Sequence, residues 1–168
     1  PLQHLPLVVF MDIEMPDLNG IETIRLAKSI HESMHFIILT VFEDDDNIFV
    51  MHGINPDGSI DNTFGNNGII QLAKEEADYP YIAYQSDKLI LLGQVRHIGR
   101  LDFYLTRFND DGTVDNTFGD QGEYFLHIGS SDSRPAAIIV GPDDKIFIEG
   151  HQYVTNEDPI ILAAFNNN

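Results

Sequence analysis

Short apolar runs separated by polar turn residues fill the chain from about Ile54 onward. Runs of this length between clusters of Gly, Asn and Asp are typical of consecutive antiparallel strands. The pattern predicts two successive units of four strands each. The predicted strands lie at residues 69–73, 79–85, 89–95 and 101–108, and then at 123–128, 136–140, 146–151 and 160–165.

A repeated stretch marks the start of each unit. Residues 55–68 and 109–122 are identical at nine of fourteen positions, and Asp115 follows Asp61 by 54 positions. Lys145 follows Lys88 by 57 positions, so the second unit carries three extra residues ahead of its third strand. A recurrence of this length indicates a supersecondary repeat, and four short strands per repeat fit a propeller blade.

The first fifty residues have a different pattern. The apolar run at 7–11 ends at Asp12, a polar turn covers 15–20, and a second apolar run at 36–39 ends at Thr40. Apolar residues at three-residue spacing between positions 21 and 30 predict one face of a helix. The pattern therefore predicts a strand–helix–strand unit with a right-handed parallel crossover.

The net charge of the chain narrows the classes of partner that we expect it to bind. The chain carries 27 acidic against 9 basic side chains, for a formal net charge of −18. Such a surface repels phosphate backbones and anionic lipid, so nucleic-acid and membrane partners are not expected. The chain has no cysteine, which excludes disulfides, thiolate metal sites and cysteine nucleophiles.

The N-terminal stretch resembles the middle of a response-regulator receiver domain. The resemblance rests on Val-Val-Phe-Met-Asp-Ile-Glu-Met-Pro-Asp-Leu-Asn-Gly at 8–20 and Ile-Ile-Leu-Thr at 37–40, and it covers about residues 5–50. It implies a flavodoxin-like sheet, with Asp12 as the phospho-acceptor and Thr40 as the switch hydroxyl. It also implies Mg²⁺ bound by Asp12 and the carbonyl of Glu14, a histidine kinase partner and a cytoplasmic location.

The chain departs from the receiver pattern in ways that weaken phosphotransfer. Only eleven residues precede Asp12, which leaves no room for the strand that supplies the family's acidic metal-binding pair. The nearest lysine after Thr40 is Lys74, inside the repeat region. Phosphorylation needs the metal to offset the charge of the incoming phosphate, so we do not expect Asp12 to be active.

The repeat region resembles the delta-60 repeat family, bacterial repeats expected to form β-propeller blades. The resemblance rests on Asn-x-Asp-Gly-x-x-Asp-x-Thr-Phe-Gly in both repeated stretches, on residues 87–93 and 144–150, and on residues 102–108. Asp87 and Asp144 stand where the family usually has Gly. This resemblance implies an exported or surface protein, so the two resemblances disagree about location, which stays unknown.

The repeated stretch allows two interpretations. Asp61 and Asp115 can accept hydrogen bonds from backbone two or three residues on, as in an Asx turn, with Phe64 and Phe118 as apolar anchors. The alternative is a calcium loop, although the spacing does not match an EF-type loop and the turn is favoured. The calcium candidates are Asn55, Asp57, Asp61, Asn109, Asp111 and Asp115.

No catalytic motif occurs in the sequence, so we do not expect an enzyme. His97, His127 and His151 have no carboxylate at motif spacing and are interpreted as surface or structurally satisfied strand residues. No cofactor is expected with assurance. Mg²⁺ follows only from an active receiver, and Ca²⁺ only from the loop alternative.

These observations predict a mixed α+β chain with three parts. Residues 1–50 form a partial flavodoxin-like β-α-β unit, and residues 51–108 and 109–168 form two four-stranded, blade-like repeats. The favoured function is a non-enzymatic fusion that acts at most as a binding or structural module. Unpaired strand edges predict protein partners or self-association. The alternatives are a two-component response regulator phosphorylated on Asp12 and a calcium-stabilised surface repeat protein.

Overall fold

The computed structural model describes residues 8–11, 35–42, 48–55, 57–154 and 159–165. Strands dominate these residues, and a single turn of 3-10 helix covers Pro142–Asp144. The strands are β1 Val8–Met11, β2 His35–Phe42, β3 Ile48–Ile54, β4 Ile69–Ala73, β5 Asp78–Gln85, β6 Lys88–His97, β7 Arg100–Asn109, β8 Glu123–Leu126, β9 Ser133–Val140, β10 Ile146–Gln152 and β11 Ile160–Phe165.

The predicted fold class, a mixed α+β chain with a flavodoxin-like β-α-β unit, is wrong. No α-helix occurs among the described residues, and of the strand pairs with a described register only β1 and β2 are parallel. Strand β2 continues the same sheet into β3 and β4, which flank the first repeated stretch. A short apolar run fits a strand of a blade as well as a strand of a parallel sheet, so the pattern could not separate the two folds.

The apolar runs at residues 7–11, 36–39 and 160–165 predict strands, and strands are found at all three places. The predicted helix at 21–30 lies outside the described residues. No helix in the described part of the chain is long and apolar enough to cross a membrane.

The strands form three sheets. The N-terminal sheet has the order β1-β2-β3-β4, the middle sheet β5-β6-β7-β8, and the C-terminal sheet β11-β10-β9. The chain divides into two compact units, residues 1–40 with 50–71 and residues 41–49 with 72–168. The middle and C-terminal sheets both belong to the second unit.

The repeated stretch lies inside a sheet and not between sheets. Residues 55–68, the first signature turn, connect β3 to β4, and residues 109–122, the second signature turn, connect β7 to β8. The sheet boundaries instead fall between β4 and β5 and between β8 and β9. Each sequence repeat therefore contributes its first strand to the sheet of the preceding repeat. The predicted domain boundaries stay a prediction.

The core of the second unit lies between the facing sides of its two sheets. Ile90, Leu92, Phe103 and Leu105 of the middle sheet are fully buried. They pack in one cluster with residues of the C-terminal sheet, namely Ile138, Ile146, Ile148 and Ile161. Burial of an aliphatic or phenyl side chain of this size stabilises the fold by about 1.5–3 kcal/mol.

The same packing device occurs twice in the second unit. A Cβ built on Gly93 of β6 would lie 2.5 Å from the ring Cζ of Phe49, and a Cβ on Gly150 of β10 would overlap the ring of Phe103. Phe103 follows Phe49 by 54 positions and Gly150 follows Gly93 by 57, so these are corresponding positions of the repeat. A phenyl ring over a glycine is thus a repeated element of sheet packing, because only glycine leaves room for the ring.

Candidate functional site

Both signature turns have the same backbone hydrogen bonds. In the second turn, Asn109 N donates to Thr113 O at 2.8 Å and Asp115 N donates to Arg107 O at 2.8 Å. The corresponding bonds of the first turn run from Asn55 N to Ser59 O at 2.8 Å and from Asp61 N to Gly53 O at 2.8 Å. The repeated stretch therefore encodes one turn geometry, formed independently at each place.

The aspartates of the turns accept hydrogen bonds two residues on, as the turn interpretation predicts. Thr63 donates its backbone N–H (2.9 Å) and its hydroxyl (2.6 Å) to Oδ1 of Asp61. Thr117 donates the same two groups to Oδ1 of Asp115, at 3.1 and 2.6 Å. Asp57 and Asp111 each accept the equivalent pair of bonds from the residue two positions further on.

The second turn also contains a buried ionic network. Arg107 donates from Nε to Oδ2 of Asp115 at 2.8 Å, and Lys88 Nζ lies 3.0 Å from the same oxygen. The side chains of Arg107 and Asp115 are each only 5% exposed. Arg107 also donates to Gln85 at 3.0 Å, and its guanidinium lies 4.8 Å from the ring centre of Phe118. Buried charges of this kind persist only when paired.

The network holds Asp115 in its ionised form. Burial alone would raise the pKa of its carboxyl, but hydrogen bonds from Thr117 and Lys88 and the charge of Arg107 outweigh burial. The pKa of Asp115 therefore lies well below the usual range of an aspartate. Asp111, which is exposed, also has a lowered pKa, chiefly because the Thr113 hydroxyl donates to it.

The calcium candidates lie in these two turns, where hydrogen-bond donors already engage their carboxylates. Within the described residues, no group of three or more His, Cys, Asp or Glu is arranged to hold a metal ion. The geometry therefore adds no support for calcium at Asn55, Asp57 and Asp61 or at Asn109, Asp111 and Asp115. That alternative stays a prediction.

Two of the three residues assigned to phosphotransfer lie outside the described residues. These are Asp12 and Glu14. Thr40 lies in β2, whose backbone is described while the Thr40 side chain is not. The structure thus brings none of these three residues into a described site.

His97 and His127, interpreted as surface or structurally satisfied strand residues, both lie beside the buried carboxylate of Asp102. Nδ1 of His127 lies 2.8 Å from Oδ1 of Asp102, and Nδ1 of His97 lies 3.3 Å from its Oδ2. The Asp102 side chain is almost completely buried, and His97 stacks on Phe125 with ring centres 4.1 Å apart. A carboxylate only accepts, so Nδ1 donates in each ring that bonds to it. The cluster ties the β6–β7 hairpin to the segment after β8.

Part of this cluster could have been found from the sequence. Asp102 pairs with Val95 across the β6–β7 hairpin, and His97 lies two residues beyond Val95 on the same side of the sheet. A tight hairpin therefore places His97 diagonally opposite Asp102. His127 could not have been found this way, because its position depends on the second signature turn that returns the chain as β8.

The outward side of the C-terminal sheet carries a group of exposed apolar side chains, here called the open face. It consists of Ile139 (62% exposed), Phe147 (38%), Ile160 (65%) and Leu162 (79%). These residues share a side of the sheet because Phe147 pairs with Ile139, while Leu162 and Ile160 pair with Glu149 and His151, at alternate positions of β10. Contiguous apolar surface of this kind marks an interaction site in many soluble proteins.

Comparison with known proteins supports the repeat and not the receiver. Residues 85–118 match the model of a family described as "Domain of unknown function (DUF5122) beta-propeller". This match gives no evidence for a receiver domain, and neither the curated proteins nor the solved structures gave a match. The matched segment covers β6, β7 and most of the second signature turn, so this part of the chain is similar to a β-propeller repeat.

Proposed function

We propose that the chain is a non-enzymatic protein-binding and structural module built of propeller-type blades, and that the open face is its binding surface. The observation that carries this proposal is a correspondence between repeats. Phe103 and Leu105 of β7 correspond to Ile160 and Leu162 of β11, at an offset of 57. The first pair is 0% exposed in the core of the second unit, whereas the second pair is more than half exposed.

The partner that fits this face is the apolar side of another β-sheet. In the middle sheet the corresponding positions are covered by a sheet, whose Ile146, Ile148 and Ile161 pack against them. Sheets packed face to face in this way bury alternate side chains of every strand. Since the chain carries a net charge of −18, a partner with a neutral or basic rim is favoured over an acidic one.

An apolar dye whose fluorescence rises on binding tests whether the open face is available. Leu162→Glu should lower the dye fluorescence, since Leu162, at 79% exposed, is the most exposed of the four open-face residues. The matched control is Ile98→Glu, because Ile98 is 82% exposed at a hairpin tip and does not belong to the open face. Both variants should melt within about 2–4 °C of the wild type, as surface substitutions usually do. Equal dye binding by the wild type and Leu162→Glu would refute the proposal.

An NMR experiment on the same protein tests the signalling alternative. If Asp12 were an active phospho-acceptor, Mg²⁺ with beryllofluoride would shift the NMR signals of Asp12 and its neighbours. We expect no shift, because the family match supports only a propeller-type repeat and the sheet is not flavodoxin-like. Shifted signals around Asp12 and Thr40 would restore the signalling function and contradict the non-enzymatic proposal.

A further inference from the structure

We infer that Arg134 and the tyrosines around it form a binding site for a small ligand that carries one carboxylate on a flat apolar body. The guanidinium carbon of Arg134 lies 4.2 Å from the centre of the Tyr79 ring. The pKa of Arg134 is raised, chiefly because it donates a hydrogen bond to the hydroxyl of Tyr153, and Tyr79 and Tyr81 add to the effect. None of these residues belongs to the open face, so the inference goes beyond the proposed function.

The site lies where two strands of the second unit approach each other. Tyr79 is the second residue of β5, at one end of the middle sheet, and Arg134 is the second residue of β9, at one end of the C-terminal sheet. These two strands contact each other. Tyr153 follows β10, and its N–H donates to Asp132 O at 2.8 Å, which holds Tyr153 beside the start of β9. The packing of the sheets within one unit therefore assembles the group.

The backbone of Tyr79 is strained. Its φ is +51°, in the left-handed region that a bulky side chain seldom adopts. The residue lies where the register of β5 against β6 shifts, between Asp78 and Tyr81, and Oδ1 of Asp78 accepts its N–H at 2.7 Å. A bulge of this kind re-aims a side chain, and strained backbone is concentrated at functional sites. The strain here places the Tyr79 ring against Arg134.

The charge of Arg134 is not neutralised by a carboxylate, in contrast to two other arginines of the same unit. Arg96 pairs with Glu76 at 2.6 Å, and Arg107 pairs with Asp115 at 2.8 Å. Across the residues that the structure describes, no carboxylate pairs with the exposed Arg134. An aromatic ring covers a face of a guanidinium and leaves its edge donors available, and this fork matches a carboxylate. The site therefore offers a positioned cation for a carboxylate ligand.

The surroundings of Arg134 select the kind of ligand. Since the chain has a net charge of −18, a ligand with two negative charges is repelled more strongly than one with a single charge. The repulsion from distant acidic residues is screened beyond about 8 Å at physiological ionic strength, so one nearby cation can hold a monoanion. The rings of Tyr79, Tyr81 and Tyr153, the last 47% exposed, supply apolar surface beside the cation. A carboxylate attached to a flat ring fits both features.

Sodium benzoate is the probe for this inference, and benzyl alcohol, which keeps the ring without the charge, is its control. Titrated into the isotope-labelled full chain at neutral pH, benzoate should shift the NMR signals of the Arg134 side chain and of the Tyr79 and Tyr153 amides. The shifts should saturate with a Kd in the millimolar range, as expected of so small a ligand. Equal shifts from benzyl alcohol, or shifts from benzoate that do not saturate, would overturn the inference.

Two substitutions of exposed cations test whether binding depends on Arg134 or on net charge. Arg134→Gln should raise the Kd for benzoate about tenfold or more, because hydrogen bonds to a charged group are lost. Lys145→Gln is the matched control, since Lys145 is exposed in the turn between β9 and β10 and its loss changes the net charge equally. Wild-type affinity in Arg134→Gln, or an equal loss in Lys145→Gln, would overturn the inference.

Two further variants separate a binding role from a structural one. Glycine adopts a φ of +51° without strain, so Tyr79→Gly should fold with the amide signals of β6 and β7 in place. It should nevertheless bind benzoate about two- to fivefold more weakly, because the ring that positions Arg134 is lost. Arg134→Lys keeps the charge without the planar fork and should also bind more weakly. Wild-type affinity in both variants would overturn the inference.

Acetate and inorganic phosphate test the class of ligand. Acetate carries the carboxylate without a flat body, so it should bind more weakly than benzoate if the tyrosine rings contribute. Phosphate should also bind more weakly than benzoate, because its second charge increases the repulsion from the acidic chain. Acetate binding as tightly as benzoate, or phosphate binding more tightly, would overturn the assignment of this ligand class.

Discussion

The two signature turns share a backbone but differ in what surrounds it. Asp115 is buried in an ionic network with Arg107 and Lys88, whereas Asp61 is only half-buried. At the position of Arg107 the first repeat has Gly53, and the side chain of Phe64 occupies the space that a Cβ there would fill. One sequence signature is therefore supported by charge in one repeat and by close packing in the other.

The difference shows which residues determine the turn. Several hydrogen bonds common to both turns join residues that are identical in the two repeats, among them the Asp, Thr and Phe of Asp-x-Thr-Phe-Gly. The ionic network of the second turn depends on residues outside the signature. A buried ion pair contributes little net stability when intact, but the loss of one partner leaves the other charge buried and unpaired. The second turn should accordingly be the more vulnerable of the two.

The largest expected effect comes from removing Asp115. Asp115→Ala leaves the buried guanidinium of Arg107 without its carboxylate, and such a loss costs about 3–5 kcal/mol. Asp61→Ala, at the same place in the first turn, should cost about 1 kcal/mol, as the loss of a turn or cap acceptor does. The free energies of unfolding in urea measure both. Equal losses of unfolding free energy from Asp115→Ala and Asp61→Ala would show that the ionic network adds no stability beyond that of the turn common to both repeats.

The next effect tests the packing of the first turn. Gly53→Ala should cost about 1–3 kcal/mol, because the new methyl group overlaps Phe64. Gly99→Ala is the matched control: nothing lies within 4 Å of a Cβ there, but its φ is +81°. A left-handed residue with a side chain costs about 1–2 kcal/mol from backbone strain alone. A loss well below about 1 kcal/mol from Gly53→Ala would contradict close packing over Gly53.

Much of the fold could be predicted from the sequence, and the reasons for the failures are physical. Strands at 69–73 and 160–165 follow from apolar runs between turn residues, which are local signals. The assignment of residues 7–11 and 36–39 to a flavodoxin-like α/β unit failed, although these two strands do pair in parallel, because a short apolar run does not specify which further strands join its sheet. The pairing of β4 with β3, and not with β5, is likewise a long-range choice that no local pattern records.

The candidate sites were predictable to a smaller extent. The hydrogen bonds of Asp61 and Asp115 follow from the spacing of Asp and Thr, so the turn interpretation could be made from the sequence. The ion pair of Arg107 with Asp115 joins β7 to the second signature turn, eight residues further on, and the contact of His127 with Asp102 spans 25 residues. Such contacts require the sheet register, which the sequence pattern did not supply.

Acid should destabilise the fold partly through Asp115. Because the pKa of Asp115 is lowered in the folded state, its ionised form contributes stability above about pH 3.8, the usual aspartate value, and this contribution is lost as the pH falls below it. Between pH 5 and pH 3 the free energy of unfolding of the wild type should therefore fall more steeply than that of Asp115→Asn. Asp61→Asn serves as the control with the same change of charge. Parallel pH profiles for the wild type and Asp115→Asn would show that the carboxylate of Asp115 is not held by its donors.

The smallest effect distinguishes the local bonds of the turn from the network around it. Thr63→Val removes one side-chain hydrogen bond to Asp61 and should cost about 0.5–1.5 kcal/mol. Thr117→Val removes the same bond to Asp115 and also a weak acceptor of Arg107 at 3.4 Å, so its cost should be slightly larger. In a double-mutant cycle, Thr117→Val and Asp115→Asn should couple by about 0.5–3 kcal/mol, as residues of one network do. Thr63 and Asp61 have the same turn geometry with Gly53 in place of Arg107, so the cycle of Thr63→Val with Asp61→Asn is the comparison for that coupling. If the two cycles agree, the turn alone holds the aspartates, and the buried arginine depends on the turn without contributing to it.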